Sequence, residues 1–213
     1  MRRKAVALLL AVLFALASAS CKSTLGPALE REEGRKNIRE LPYEELADEA
    51  SGFRYPGLPW GITLDEVQER TYDAVTKVSG VDTKGNIVYT APYLKALAGG
   101  RQNDDTQIST DPDTRLISLM LVFSAQNAED TLGQSAVFDL LHEKLTAAYG
   151  TPAIDKHTDE MTGGLTADIE DHTWVKTYGE GLESRLVLSK GFVSYSSEPD
   201  YISLTFLGDG AHE

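Results

Sequence analysis

Apolar residues recur at helical spacing directly after Gly61. Thr63 and Glu66 stand at the spacing of a capping box, in which each side chain hydrogen-bonds the other residue's backbone N–H. The apolar face that follows comprises Leu64, Val67, Thr71, Ala74, Val75 and Val78. This spacing predicts a helix from about Leu64 to Ser79, ended by Gly80.

A second segment repeats the pattern between Thr131 and Pro152. Thr131 and Gln134 have capping-box spacing, and Gly150 fits the left-handed position that ends a helix. The apolar face between them comprises Val137, Leu140, Leu141, Leu145 and Ala148. We therefore expect a second helix, which Pro152 prevents from continuing.

Strand patterns fill most of the remaining chain. The segments are "NIVYT", "TQIST", "RLISLMLVFS", "HTWVKTY", "ESRLVLS", "FVSYS" and "YISLTFL". Residues 116–123 are apolar at nearly every position, which predicts a central strand covered on both faces. "DPDT" and "GEG" predict tight turns between neighbouring strands.

The order of these elements indicates the fold class. One helix precedes three strands and a second helix precedes three or four, without the strand–helix–strand alternation of parallel sheets. We expect a single α+β domain over residues 53–213, with an antiparallel sheet and two helices on one face. The repeated order also suggests duplication of a helix-plus-three-strands unit.

The first twenty residues predict an export signal. Arg2, Arg3 and Lys4 precede an unbroken apolar run that ends at Ala17 and is too short to span a bilayer. Two cleavage sites stay open. Cleavage after Ala19 would release a soluble periplasmic protein, whereas cleavage before Cys21 would not.

Cys21 favours the second site, because it is the only cysteine in the 213 residues. "SASC" resembles a relaxed lipobox of bacterial lipoproteins, with Ser18 where that family usually has leucine. The resemblance implies lipidation of Cys21 and a lipid-anchored place in the cell envelope, at the outer membrane or the periplasmic face. Two or three acyl chains hold a protein stably on a membrane.

Charge limits the classes of partner. Without residues 1–20 the chain carries 17 basic and 33 acidic residues, a formal net charge of −16. This charge repels nucleic acid and anionic lipid headgroups, so we expect anchoring by the lipid and no nucleic-acid partner. Residues 21–52 are rich in charge and poor in aromatic residues, which predicts a tether; an additional surface helix is the alternative.

Two short motifs carry a resemblance at the level of the domain. "PWGITLDEV" and "YGTP" resemble segments of small periplasmic and outer-membrane accessory lipoproteins with duplicated helix-plus-sheet units, including β-lactamase-inhibitor-like folds. The resemblance implies the fold described above and transfers no functional residue. Trp60 in the first motif is interpreted as a core aromatic beside the helix start rather than as a binding residue.

No catalytic motif stands out, and we expect no cofactor. The chain lacks a G-x-S-x-G nucleophile motif, and Cys21 lies far from the domain. The rival function is a metal-dependent hydrolase, because five potential ligands lie in one predicted loop of residues 151–174: His157, Glu160, Asp168, Asp171 and His172. A mobile acidic loop is the interpretation we favour for the same residues.

The last strand segment suggests a contact surface. Ile202, Leu204 and Phe206 are expected to point inward, and the residues between them outward. The predicted binding face comprises Tyr178, Tyr195, Tyr201, Ser203 and Thr205. Tyrosine with serine and threonine is typical of adaptable contact surfaces, although a solvated sheet face has the same composition. We expect the partner to be a polar or basic protein or peptide.

The lipobox predicts the partitioning of the protein between phases. Replacing Cys21→Ser removes the acylated thiol, so the protein should move from the detergent phase to the aqueous phase in a phase-separation assay. Ser23→Ala is the matched control and should stay in the detergent phase. Unchanged partitioning of the Cys21 variant would contradict lipidation.

Overall fold

The computed structural model describes residues 38–71, 75–81, 85–124, 133–160, 166–193 and 198–209. Within these residues the strands are β1 (Ala47–Asp48), β2 (Gly52–Phe53), β3 (Thr76–Val81), β4 (Ile87–Thr90), β5 (Leu97–Ala98), β6 (Arg101–Gln102), β7 (Asp105–Thr110), β8 (Leu116–Ser124), β9 (Ala153–Glu160), β10 (Thr166–Tyr178), β11 (Leu182–Phe192) and β12 (Tyr201–Leu207). The α-helices are α1 (Leu64–Thr71) and α2 (Gln134–Tyr149), and a 3-10 turn spans Tyr43–Glu45.

Eight of the strands form one antiparallel sheet in the order β3-β4-β7-β8-β12-β11-β10-β9. The predicted α+β class, with an antiparallel sheet and two helices, is confirmed. The strands after α1 run inward from one edge and those after α2 run inward from the other, so that β8 and β12 pair at the centre. Each half thus has four strands in the main sheet rather than the three expected for a repeated unit.

The helix α2 lies over one face of the sheet, against β11 and β12. Its buried apolar residues are Val137, Phe138, Leu141 and Leu145. They belong to the same core as alternate residues of the central strands, namely Leu119, Leu121, Phe123, Leu186, Leu188, Ile202, Leu204 and Phe206. The alternation expected for the last strand is therefore confirmed, because every second residue faces this core.

The prediction that residues 116–123 are covered on both faces is wrong. Leu119, Leu121 and Phe123 are buried in the core, but Met120 and Val122 point to the opposite face and are only half-buried. β8 is central in the sheet as expected, yet the helices contribute to a core on one side only. Apolar residues at consecutive positions here mark a central strand with a partly apolar open face.

The N-terminus of α1 has the predicted capping box. The Thr63 N–H donates to Glu66 Oε2 at 2.8 Å, and the Glu66 N–H donates to Thr63 Oγ1 at 3.3 Å. The predicted extension to Ser79 is wrong, because α1 ends at Thr71 and β3 already begins at Thr76. Thr76 pairs with Thr90 of β4, so its β-branched side chain serves a strand rather than a helix.

The start predicted for the second helix is also wrong. The N-cap of α2 is Gly133, and Thr131 lies outside the described residues. Gln134 does not reach back to complete a box, because its side-chain amide donates to the Phe123 carbonyl at 3.1 Å. The predicted end is confirmed: Gly150 has φ of 84°, and its N–H donates to the Thr146 carbonyl at 2.9 Å.

Part of the predicted tether belongs to the folded unit, which begins at Ile38. Leu41 and Leu46 are buried in the core, and the Leu41 N–H donates to the Leu97 carbonyl at 2.9 Å. Residues 38–52 therefore pack onto the domain. Residues 1–37, including Cys21, lie outside the described residues.

Trp60 packs against neighbouring residues of the fold. Its indole N–H donates to the Phe53 carbonyl at 2.9 Å, and its ring lies against Gly208. A side chain at Gly208 would meet that ring at 2.9 Å. In the described part of the chain, no helix combines the length and the apolarity needed to cross a membrane.

Candidate functional site

The face of the sheet opposite α2 carries a cavity of about 430 Å³, called here the open-face groove. Its lining residues are Met120, Val122, His157, Asp159, Ile169, Asp171, Ser189, Tyr201, Ser203 and Thr205. The strand register explains why they meet, since Asp171, Ser189, Ser203 and Val122 are successive partners across β10, β11, β12 and β8. Partners in an antiparallel sheet point to the same face.

Three of the five tyrosine, serine and threonine residues predicted for binding line this groove. Tyr201, Ser203 and Thr205 lie on β12 at alternate positions. Tyr195 lies outside the described residues. Tyr178 lies on the covered face, because it is four residues from the buried Trp174 along β10 and its ring lies beside Gly52 and the buried Ser184. The structure therefore does not bring Tyr178 together with Tyr201.

Because Gly191 has no side chain, the Tyr201 ring can lie against its backbone. The two residues are direct partners across β11 and β12. A Cβ on Gly191 would meet Tyr201 Cζ at 2.2 Å, so the ring lies directly against the glycine. Gly191 was not among the residues predicted for binding, although a glycine inside a strand is a known sign of close approach by a neighbouring group.

One end of the groove is acidic. His157 stands between two carboxylates of its own strand, with Nδ1 3.4 Å from Asp155 Oδ2 and Nε2 3.7 Å from Asp159 Oδ1. Burial raises the pKa of the Tyr201 hydroxyl, and the charges of Asp171 and Asp159 raise it further. Asp171 Oδ1 is enclosed and accepts no hydrogen bond from the described part of the chain.

The basic residues of these strands lie away from the acidic end. Arg185 is the groove-side residue of β11 four positions before Ser189, and its Nη2 lies 3.9 Å from Glu183 Oε2. Lys156 and Lys190 point to the covered face, where both contact Glu170. Among the described residues that line the groove there is no lysine or arginine.

The predicted loop of residues 151–174 is wrong, because β9 and most of β10 form a hairpin there. His157 pairs with Ile169 and His172 pairs with Ile154, so the two histidines point to opposite faces. The hairpin therefore does not join them in one site. Among the described residues, no group of three or more potential metal ligands was found.

His172 belongs to an ionic cluster on the covered face, at the edge of α2. His172 Nε2 lies 2.8 Å from Glu170 Oε1, and Lys156 Nζ lies 2.9 Å from Glu170 Oε2. Burial alone would raise the pKa of Glu170, but hydrogen bonds from Lys156, His172 and Lys190 lower it to about 2. This cluster ties β9, β10 and β11 together.

Two further cavities have polar groups that already contact one another. The first, of about 290 Å³ on the β9–β10 hairpin, contains the Lys156–Glu170 pair and the Thr158–Asp168 hydrogen bond. The second, of about 590 Å³, lies between the 3-10 turn and α2. There the Glu40 carboxylate accepts from the Tyr43 hydroxyl at 2.7 Å and the Gly99 N–H at 2.5 Å.

No protein-family model, curated protein or solved structure matches this chain. The chemistry of the candidate site is therefore inferred from the residues of the open-face groove alone. They offer an aromatic ring, hydroxyl groups, an imidazole, the three apolar side chains of Met120, Val122 and Ile169, and carboxylates. This combination suits the binding of a polar segment with positive charge.

The Glu170 cluster predicts how stability depends on pH. The pKa of Glu170 in the folded protein, about 2, lies below the ordinary value of 4.5. The ionised Glu170 carboxylate therefore stabilises the folded state above pH 4.5, and this contribution is lost as the pH falls towards 2. Glu170→Gln should cost about 2 kcal/mol at pH 7 in urea melts, and the difference from wild type should shrink below pH 4.5.

Glu143→Gln on the exposed face of α2 is the control for this measurement, and it should change the unfolding midpoint little. A difference between wild type and the Glu170 variant that stays constant down to pH 2 would contradict the assignment.

Proposed function

We propose that this protein is a membrane-anchored bacterial lipoprotein whose domain binds a polar or basic protein or peptide without catalysing a reaction. Lipidation of Cys21 would hold the domain at the outer membrane or another membrane of the cell envelope. The open face of the sheet would then meet the partner. The single observation that carries the binding role is the open-face groove.

The shape of the sheet supports this role. One face contributes Leu119, Leu121 and Phe123 to the core, whereas the other leaves Met120 and Val122 half-buried beside a cavity. A solvated face without a partner gains nothing from apolar side chains on a central strand, because partial exposure leaves their apolar area in contact with water. A partner lying across this face would remove that area from water.

Charge supports a basic partner. The whole chain has a formal net charge of −13 with the export signal and −16 without it. Asp159 and Asp171 line the groove itself, so the local field has the same sign as the whole chain. Complementary charge raises the association rate and makes binding depend on salt.

An enzymatic role finds less support in the geometry. The histidines of the β9–β10 hairpin point to opposite faces. His172 donates from Nε2 to the Glu170 carboxylate inside the ionic cluster, and His157 lies between Asp155 and Asp159 on an edge strand. Neither imidazole lies beside a serine or threonine that would serve as a nucleophile in any hydrogen bond of the described residues.

We also infer that the two halves of the domain arose by duplication. The support is their order: α1 precedes β3, β4, β7 and β8, and α2 precedes β9 to β12. Each set forms half of the sheet, with its last strand at the centre. The open-face groove lies mostly in the second half and reaches β8 of the first.

Site-specific photocrosslinking in cells tests the binding role. A photoreactive phenylalanine analogue in place of Tyr201 or Thr205 should capture a partner, because both residues line the groove. Tyr93, which is 46% exposed before β5, and Glu69 on α1 serve as control positions. The crosslink yield in envelope fractions should fall between about 0.05 M and about 0.5 M salt.

Crosslinks from Tyr93 or Glu69 alone would refute binding at the open face. A yield from Tyr201 that does not change with salt would refute the basic character of the partner.

A further inference from the structure

We propose that the acidic end of the open-face groove recognises an arginine side chain of the partner. The inference rests on the proposed function and names the chemical group that the groove selects. The guanidinium would stack on the Tyr201 ring and donate to the carboxylate of Asp171, and Asp159 would add to the negative potential of the site. Each part of this site follows from contacts of the described residues.

The Tyr201 ring provides a flat platform. Gly191 lies under one side of the ring, because a Cβ there would meet Tyr201 Cε1 at 2.3 Å. The ring is half-buried and lines the groove, so part of it is accessible to a ligand in the groove. A guanidinium stacks on such a ring, and the cation–π attraction increases when the pair is shielded from water.

The carboxylates supply the acceptors. Asp171 Oδ1 is enclosed without a hydrogen bond in the described part of the chain, which is costly for a charged group. Asp171 and Asp159 line the groove together with Tyr201. A guanidinium presents several N–H donors in one plane, so it can donate to the Asp171 carboxylate while its face lies on the ring.

Within the described residues, no lysine or arginine lines the acidic end of the groove. Lys156 and Lys190 contact Glu170 on the covered face, and Arg185 lies beside Glu183 away from the acidic end. Among the described residues, His157 is the one imidazole in the groove lining, and it lies between Asp155 and Asp159. Charge complementarity therefore favours a basic side chain of the partner.

The planar ring together with the Asp171 carboxylate favours arginine over lysine. A lysine ammonium is a compact and strongly hydrated charge, and it does not present donors in a plane above a ring. The neutral isostere citrulline keeps the shape of arginine and lacks the charge. Comparing the three side chains in one peptide thus separates stacking, charge and planarity.

The test uses the full chain in detergent and a fluorescent peptide, acetyl-Gly-Ser-Arg-Ser-Gly-amide, titrated by anisotropy. We expect the arginine peptide to bind at least about fivefold more tightly than its lysine counterpart and about tenfold more tightly than its citrulline counterpart. Equal binding of the three peptides would overturn the proposal.

Two variants locate the binding in the groove. Asp171→Asn should weaken the arginine peptide about tenfold, because the isosteric amide has no charge. Tyr201→Leu keeps an apolar side chain and should remove most of the preference for arginine over lysine. Asp139→Asn, exposed on α2, removes the same charge from the opposite side and should leave binding unchanged.

The outcomes separate this inference from the proposed function. One outcome is that Tyr201 crosslinks to a partner while Asp171→Asn leaves the affinity for the arginine peptide unchanged. This outcome would overturn the arginine site but would still support binding at the open face. Absence of crosslinks from the open face would refute the proposed function itself. Equal weakening by Asp171→Asn and Asp139→Asn would show an effect of net charge and overturn the site.

Discussion

The burial of one apolar stripe of α2 against the sheet determines the rest of this structure. Val137, Phe138, Leu141 and Leu145 meet alternate residues of β8, β11 and β12, which fixes the face that each strand turns towards the helix. A one-residue shift of any strand would move its apolar set to the opposite face, so this contact also fixes the register. The residues of each strand that point away from α2 therefore form the open face.

The open face consists of the strand residues that alternate with the core residues. Ser203 and Thr205 alternate with Ile202, Leu204 and Phe206, and Met120 and Val122 alternate with core leucines. Gly191 then allows Tyr201 to lie across β11 rather than to stand away from the sheet. The groove is thus a product of the alternation together with one glycine, and the acidic hairpin β9–β10 provides its charged end.

Local patterns predicted those parts of the fold that depend on neighbouring residues. The capping box of Thr63 and Glu66, the helix end at Gly150 and the alternation in β12 are all present. The errors arose where distant contacts decide. Val78 lies at helical spacing but belongs to β3, which pairs with β4, and the Gln134 side-chain amide donates to the Phe123 carbonyl rather than to a capping residue.

The same limit applies to the candidate site. Alternation within β12 identified Tyr201, Ser203 and Thr205 from the sequence, because it needs one strand only. Asp159, Asp171 and Gly191 reach the groove through the pairing of three other strands with β12 and with one another, which a single sequence does not specify. Tyr178 was assigned to the wrong face, since its position on β10 relative to Trp174 depends on where that strand meets the core.

One face of this sheet is covered and the other is open, and Ser184 and Ser189 of β11 test this difference. Ser189 lines the open-face groove, whereas Ser184 is 0% exposed beneath the N-terminal segment. In a Cys21→Ser background, a polar maleimide should label Ser189→Cys in the folded protein and Ser184→Cys only after unfolding. Equal labelling rates for the two folded variants would contradict the account.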